Sequence, residues 1–255
     1  MPRLSGAFLL ILLLFASPLF AQQDEEEPLP PPRHGGGAKI GGGVGFTTGY
    51  LLMDLDPLNK VLGSANAAPF DSKGIELYGG QGYGYIMVIP NLRVGYMNMG
   101  GTRRSLSVQG SALRRYIDLS VGFSGASFDY VVPVVPRLDI AVGVLIGGGS
   151  VEIKMSQDDG LVKSWENIWT DLGNAAPVQE YSRKLSGSFF VYQPSVNVEF
   201  ALLRWLEFRA GASYLGMAGS DWKIDDRYDL VGVPDNVNGK GWMINGGIFI
   251  GTFLF

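Results

Sequence analysis

The chain has 255 residues, among them 37 glycines and no cysteine, with 17% charged side chains and a formal charge of −4. Disulfides, thiolate nucleophiles and thiolate metal sites are excluded, and the negative balance gives no reason to expect a nucleic-acid partner. The charged share is below the roughly 25% of soluble domains and glycine is about twice its average share, while the apolar share is ordinary, which fits neither a helical membrane bundle nor a disordered chain.

Residues 1–21, MPRLSGAFLLILLLFASPLFA, carry one early cation, Arg3, then an apolar run over 7–15, then small residues and Pro18. This order predicts a cleaved secretory signal peptide, because the apolar run is short of the ~20 residues that a spanning helix needs. Residues 22–37 are acidic, proline-rich and glycine-rich. They cannot bury a core and are expected to form a flexible periplasmic tether.

From residue 38 to the end the apolar pattern has period two, the signature of strands. Over 38–52, Ala38, Ile40, Val44, Phe46, Tyr50 and Leu52 share one parity, opposite Lys39, Thr47 and four glycines. Over 75–89 one face carries Ile75, Leu77, Tyr83, Tyr85, Met87 and Ile89. A tight turn at Pro90-Asn91 leads to Leu92, Val94 and Tyr96, opposite Arg93 and Gly95. Over 115–131, Ile117, Leu119, Val121 and Phe123 oppose Asp118, Ser120 and Ser124. After Pro136, Leu138, Ile140, Val142, Val144 and Ile146 oppose Asp139 and Gly143. Further strands are expected over 190–202, 206–215 and 241–255, which makes eight.

The segments PNLRVGYMNMGG (90–101) and PRLDIAVGVLIGG (136–148) form a weak repeat that RWLEFRAGASYLG (204–216) matches loosely. The repeat unit is a hairpin with a tight turn. The other connections, 56–73, 102–114, 157–187 and 216–241, are longer and polar, although the sequence leaves open whether 102–114 is loop or strand. Short turns at one end and long loops at the other describe an antiparallel up-and-down meander, and closing it into a cylinder removes its exposed edges. The second face is too poor in charge to meet water, so the apolar faces are expected to point outward into lipid. A closed barrel also pairs every backbone group within the protein.

The chain ends FIGTFLF, and its last strand must pair with the first. Signal peptide, eight alternating runs, alternating connection lengths and an aromatic terminal strand together resemble the small eight-stranded outer-membrane β-barrels of double-membraned bacteria. That resemblance implies an eight-stranded antiparallel transmembrane β-barrel over 38–255, located in the outer membrane. It also implies that Phe249, Phe253 and Phe255 form a signal for the barrel-insertion machinery, with Gly251 departing from the usual apolar residue.

The sole histidine, His34, lies in the tether, which removes the base that barrel hydrolases and proteases rest on. No catalytic residue, cofactor or metal is expected. The acidic runs SQDDG (156–160) and SDWKIDD (220–226) read as solvated loop. Inside the ring, Lys39, Arg93, Asp139, Glu199, Glu207 and Arg209 fall on the inward parity near the short-turn end. Buried charges must pair, which predicts a salt-bridge network there. Arg103, Arg104, Arg114 and Arg115 flank the second long connection and are expected to meet lipopolysaccharide phosphates at the outer rim. In the third connection, Trp165, Ile168, Trp169 and Leu172 have the spacing of a short amphipathic helix, which would pack over the mouth or contact a protein partner. The expected role is structural or surface-interactive, with a narrow channel for small or apolar solutes as the alternative.

Overall fold

The computed structural model describes residues 41–64, 67–70, 74–105, 114–158, 164 and 181–253. The signal peptide, the tether, Lys39, the four residues of the 165–172 motif and Phe255 lie outside them.

Eight long strands form one antiparallel ring. In chain order they are β1 (Gly41–Met53), β2 (Gly74–Tyr85), β3 (Leu92–Ser105), β4 (Arg114–Val135), β5 (Leu138–Asp158), β6 (Tyr181–Leu203), β7 (Leu206–Ile224) and β9 (Gly241–Phe253). A two-residue strand, β8 (Tyr228–Asp229), adds to the far end of β7. Each long strand pairs with the next long strand, and β9 pairs with both β7 and β1, so the last strand closes the ring onto the first. At this seam Gly251 lies opposite Gly43, and a Cβ on Gly251 would sit 2.0 Å from the Gly42 carbonyl oxygen. The departure from the usual terminal pattern is therefore a close approach of two backbones. Among the described residues no helix is long and apolar enough to cross a membrane; the crossing is made by strands.

The short turns, 86–91, 136–137 and 204–205, share one end with the start of β1 and the end of β9. Asn91 and Arg137 adopt left-handed φ values of 63° and 74° in two of these turns. Met87 and Ile89, expected on a strand, lie in the first turn and are exposed. The strands reach further than the sequence suggested: 181–187 and 216–224 are strand rather than loop, and 102–105, left open between the two, is strand. With 22, 21 and 23 residues, β4, β5 and β6 are about twice the 9–11 needed to cross a bilayer.

That excess explains a correction to the predicted faces. Near the short turns the outward side chains are apolar: Val44, Phe46, Tyr96, Phe128, Tyr130, Val142, Val196, Ile248 and Ile250 are each 42% or more exposed. On β6 this outward row runs from Phe190 to Leu202. At ~3.3 Å per residue and a tilt of ~40° it rises roughly 30 Å, the thickness of bilayer hydrocarbon. Towards the long loops the polarity inverts. Ile117, Leu119, Val121 and Phe123 point inward and are at most 6% exposed, while Asp118 and Ser120 take the outer face. Ile75 and Leu77, also expected outward, are fully buried inside. On β3–β6 this half obeys the rule of a soluble barrel, apolar within and polar without, whereas on β1, β2 and β9 the outer face stays apolar to the strand ends, with Leu52, Tyr78, Trp242 and Ile244 exposed.

The inverted half holds the main core, including Met53, Met97, Met99, Val151, Val191, Leu215, Met217, Trp222 and Met243. It is roofed by the first long connection, which is not a polar loop as expected but carries a helix, α1 (Asp56–Ser64). Leu58 and Leu62, one turn apart on its buried face, join that core with Leu55, Ala67 and Phe70. Asn59 fixes the return of the chain: its side-chain oxygen accepts from the Phe70 N–H at 2.8 Å, and its amide donates to the Phe70 carbonyl at 3.4 Å.

Candidate functional site: a polar layer across the lumen

Arg93 follows the first tight turn on the inward parity of β3, and its side chain is fully buried. Its Nε donates to Asp129 Oδ2 at 3.0 Å, its Nη1 donates to Glu199 Oε2 at 2.7 Å, and its Nη2 donates to Glu199 Oε1. The planar guanidinium fork thus grips Glu199 with two nitrogens and Asp129 with the third. Arg209, on β7, is the cross-strand partner of Glu199. Its Nη1 donates to Gln81 Oε1 at 2.6 Å. Its Nε and Nη2 lie 2.9 Å from Glu199 Oε1 and 3.6 Å from Glu207 Oε1, within ion-pair range but not aligned as hydrogen bonds.

An aromatic slab supports the charges. Tyr83 donates its hydroxyl proton to Glu207 at 2.8 Å, and its ring lies 4.2 Å from the Arg93 guanidinium carbon and 4.9 Å from that of Arg209. Phe249 also packs on Arg209, with its ring centre 4.2 Å from the guanidinium carbon. Cation–π contacts gain strength when desolvated, and every residue of this group is less than one-tenth exposed.

Of the six residues read as a lumen network, Arg93, Glu199, Glu207 and Arg209 lie together. Asp139 is half-buried, on the ladder opposite Glu199, and Asp129, which the sequence reading did not include, pairs with Arg93 at 3.0 Å. Sequence reasoning missed Asp129 because it shares parity with Ile117–Phe123, which had been given to the lipid side. Tyr83 was missed for the same reason. A readable signal for Asp129 is Gly143, its cross-strand partner: a Cβ there would meet Asp129 Oδ1 at 1.9 Å, so only glycine leaves room for the carboxylate. Phe249 and Phe253, read as part of a terminal signal, face the lumen and are 0% and 7% exposed.

The four arginines do not form one cluster. Arg104 and Arg114 lie on the outward parity of β3 and β4, Arg103 and Arg115 on the inward parity at the mouth. Arg104 grips Asp118 with both Nε (2.6 Å) and Nη2 (2.9 Å) and lies 4.9 Å from the Tyr116 ring centre. The Asp118 carboxylate raises the Arg104 pKa above its ordinary value. Arg103 reaches the Gly74 carbonyl at 3.5 Å, and Arg115 donates to Gln157 at 2.9 Å. On the outer wall the register places Arg104, Asp118, Lys154 and Lys184 side by side across four strands. Lys184 is held by Glu152 at 3.1 Å and Asp226 at 3.0 Å. The acidic run 220–226 is likewise committed to cations: Asp225 pairs with Arg183 at 2.5 Å and accepts from the Lys184 N–H at 3.0 Å. Among the described residues no cluster of acids has the makings of a metal site.

No protein-family model matches the sequence, and no curated protein matches it. Comparison of folds finds solved outer-membrane barrels. Ail of Yersinia pestis, solved with the heparin analogue sucrose octasulfate, aligns over 86% of this chain and 99% of its own at 10% identity and a TM-score of 0.37. A major outer membrane protein of Thermus thermophilus aligns over 84% and 99% at 8% identity and a TM-score of 0.41. Acinetobacter baumannii CarO aligns over 83% and 97% at 11% identity and a TM-score of 0.35. At such scores these likenesses carry no argument about this chain. That it is an eight-stranded transmembrane barrel of the outer-membrane type rests on its own ring, seam and outward apolar band.

Proposed function

We propose that the protein is a non-conducting outer-membrane barrel, a membrane scaffold that presents a rigid outer surface to lipid and to other surfaces. The observation that carries this reading is the double filling of the lumen, by the Arg93–Glu199–Arg209 layer below and the α1-roofed apolar core above. A solute path would have to disperse buried, mutually paired charges and then cross a methionine-rich core. The narrow-channel alternative has no comparable support. Purified protein in planar bilayers should give no steady unitary conductance; discrete, reproducible openings would refute the scaffold reading.

The same surface supports contact with outer-leaflet lipopolysaccharide, narrowed to the outward cations. Arg104 and Lys154 lie eight residues beyond Tyr96 and Ile146, the last large apolar residues facing outward on β3 and β5, and Arg114 lies further out at the loop end of β4. At ~3.3 Å per residue and a tilt of ~40° they stand roughly 20 Å or more above the apolar band, at the height of the headgroup sugars and their phosphates. Arg103 and Arg115 turn to the mouth and are left out of that contact. The double variant Arg104→Gln/Arg114→Gln should retain clearly less co-purified lipopolysaccharide than wild type, and equal retention would count against it. A role of β9 in recognition by the insertion machinery belongs to the unfolded chain, before Phe249 and Phe253 turn inward.

A further inference from the structure

Between the ionic layer and the apolar core lies a small cavity of about 30 Å³, lined in part by Ser127, Asp129, Gln193 and Asn245 with Met97 and Met243 on the core side. Three polar atoms here, Ser127 Oγ, Gln193 Oε1 and Asn245 Oδ1, have no hydrogen-bond partner among the described residues. Ser127 and Gln193 are 4% and 2% exposed, so bulk water does not reach them. Their orientations are not accidental. Gln193 spends its amide N–H on Ser213 Oγ at 2.8 Å, and Asn245 spends its own on Asn197 Oδ1 at 3.1 Å. Each amide therefore leaves its carbonyl oxygen without a donor. Space is kept for the third group by Gly95, where a Cβ would approach Ser127 Oγ to 2.8 Å.

We propose that this cavity is a binding site for internal water, occupied by one or two molecules that complete the polar layer. The chemistry is complementary. A water molecule donates one proton to each amide oxygen and accepts the Ser127 hydroxyl proton, the three bonds typical of buried water. A cavity needs ~10–15 Å³ to hold one water, so 30 Å³ admits two at most. A bare cation fits less well. Exchanging the oxygen and nitrogen of the Gln193 amide, which Ser213 also tolerates as a donor, would turn an N–H towards a cation, whereas water serves either orientation. The site also explains how an ionic layer abuts a core of Met97 and Met243 without bare polar groups: the water carries the hydrogen-bonding network up to the boundary and ends it there.

A high-resolution crystal structure of the full barrel in detergent, grown with rubidium replacing sodium, tests this. Expected is density within ~3 Å of Ser127 Oγ, Gln193 Oε1 and Asn245 Oδ1 with no rubidium anomalous signal. An empty cavity would overturn the proposal, and so would a rubidium peak. As a second readout, water–amide cross-relaxation at Ser127 and Gln193 should report a long-lived water in the wild type. It should weaken several-fold in Ser127→Ala, a variant small enough to leave the heat-modifiable gel mobility of the barrel intact. Unchanged cross-relaxation in that variant would count against the assigned partners.

Discussion

Replacing Arg93 with methionine keeps much of the length and bulk of the side chain and removes its charge. Three contacts go at once, one to Asp129 and two to Glu199. The carboxylates they leave are 5% and 1% exposed, with Arg209 as the remaining guanidinium of the cluster. Removing one partner of a buried ion pair typically destabilises by about 3–5 kcal/mol, because the other charge stays buried and uncompensated. Against a total stability of about 5–15 kcal/mol for a folded domain, that is a large fraction. The assay is urea unfolding in lipid vesicles, followed by the heat-modifiable shift on a denaturing gel, with the midpoint converted to free energy. Neutralising the stranded acids as well, in Arg93→Met/Asp129→Asn/Glu199→Gln, should recover most of the loss, since uncharged amides carry a smaller burial penalty. Glu207→Gln should be mild, about 1 kcal/mol or less, because Tyr83 still donates its hydroxyl to the amide oxygen. A loss below about 1 kcal/mol for Arg93→Met, or a triple variant no better than the single one, would refute the view that the charges are desolvated and mutually required.

Gly143→Ala places a methyl 1.9 Å from Asp129 Oδ1 and 2.6 Å from the Phe128 carbonyl oxygen, and should destabilise by about 1–3 kcal/mol in the same assay. Gly148→Ala, with open space at its Cβ, should be close to neutral. Asn59→Ala removes both hydrogen bonds that tie α1 to Phe70, and should make 54–70 markedly more susceptible to limited proteolysis while gel mobility stays that of an intact barrel. Asp225 is held below the ordinary carboxylate pKa first by the Lys184 N–H and then by Arg183, and Asp226 by Lys184 and Ser186. Depressed carboxylates give stability that is present above the unfolded value near 3.8 and lost as pH falls through the folded value. Amide exchange at Lys184 and Asp225, corrected for intrinsic rates, should therefore show protection that is flat from pH 7 to 5 and falls below about 4. Protection that persists at pH 2 would place the corner's stability elsewhere.

Strand number, order, closure and the end of the barrel that carries the short turns were legible in the sequence because each depends only on period two and connection length, although the first turn begins at 86 rather than at Pro90. Which face looks outward was legible only over the membrane. Val142 and Val196 are outward as their parity implied, at 49% and 51% exposure. The same parity logic fails at Ile75, Leu77 and Ile117–Phe123, and for a physical reason. Alternation states that two environments differ, not which of them is lipid, and the solvent outside the barrel changes from hydrocarbon to water partway up a 22-residue strand. Here β4 carries both signs of the code on one parity: its inward face reads Ile117, Leu119, Val121, Phe123 and then Gly125, Ser127, Asp129. Helix α1 was hidden for a related reason, since only Leu58 and Leu62 of its nine residues are buried and its partners come from distant strands.

The change of sign along β4 also accounts for where the polar layer sits. In the membrane half the outer face already buries its apolar side chains in lipid, so the narrow interior is free to hold residues that specify register. Arg93 opposite Asp129, and Glu199 opposite Arg209, each lock a neighbouring pair of strands. Arg93 then joins Asp129 on β4 to Glu199 on β6 across the lumen. In the outer half of β3–β6 the outer face is polar, and the stabilisation there must come from inside. There charged pairs move to the outer wall, as Arg104–Asp118 and Lys184–Glu152, where each contributes only about 0–1 kcal/mol. Exchanging the two interiors would therefore fail in both halves. An apolar lumen within lipid would leave the register unspecified, and an ionic lumen above it would leave the outer half without a core.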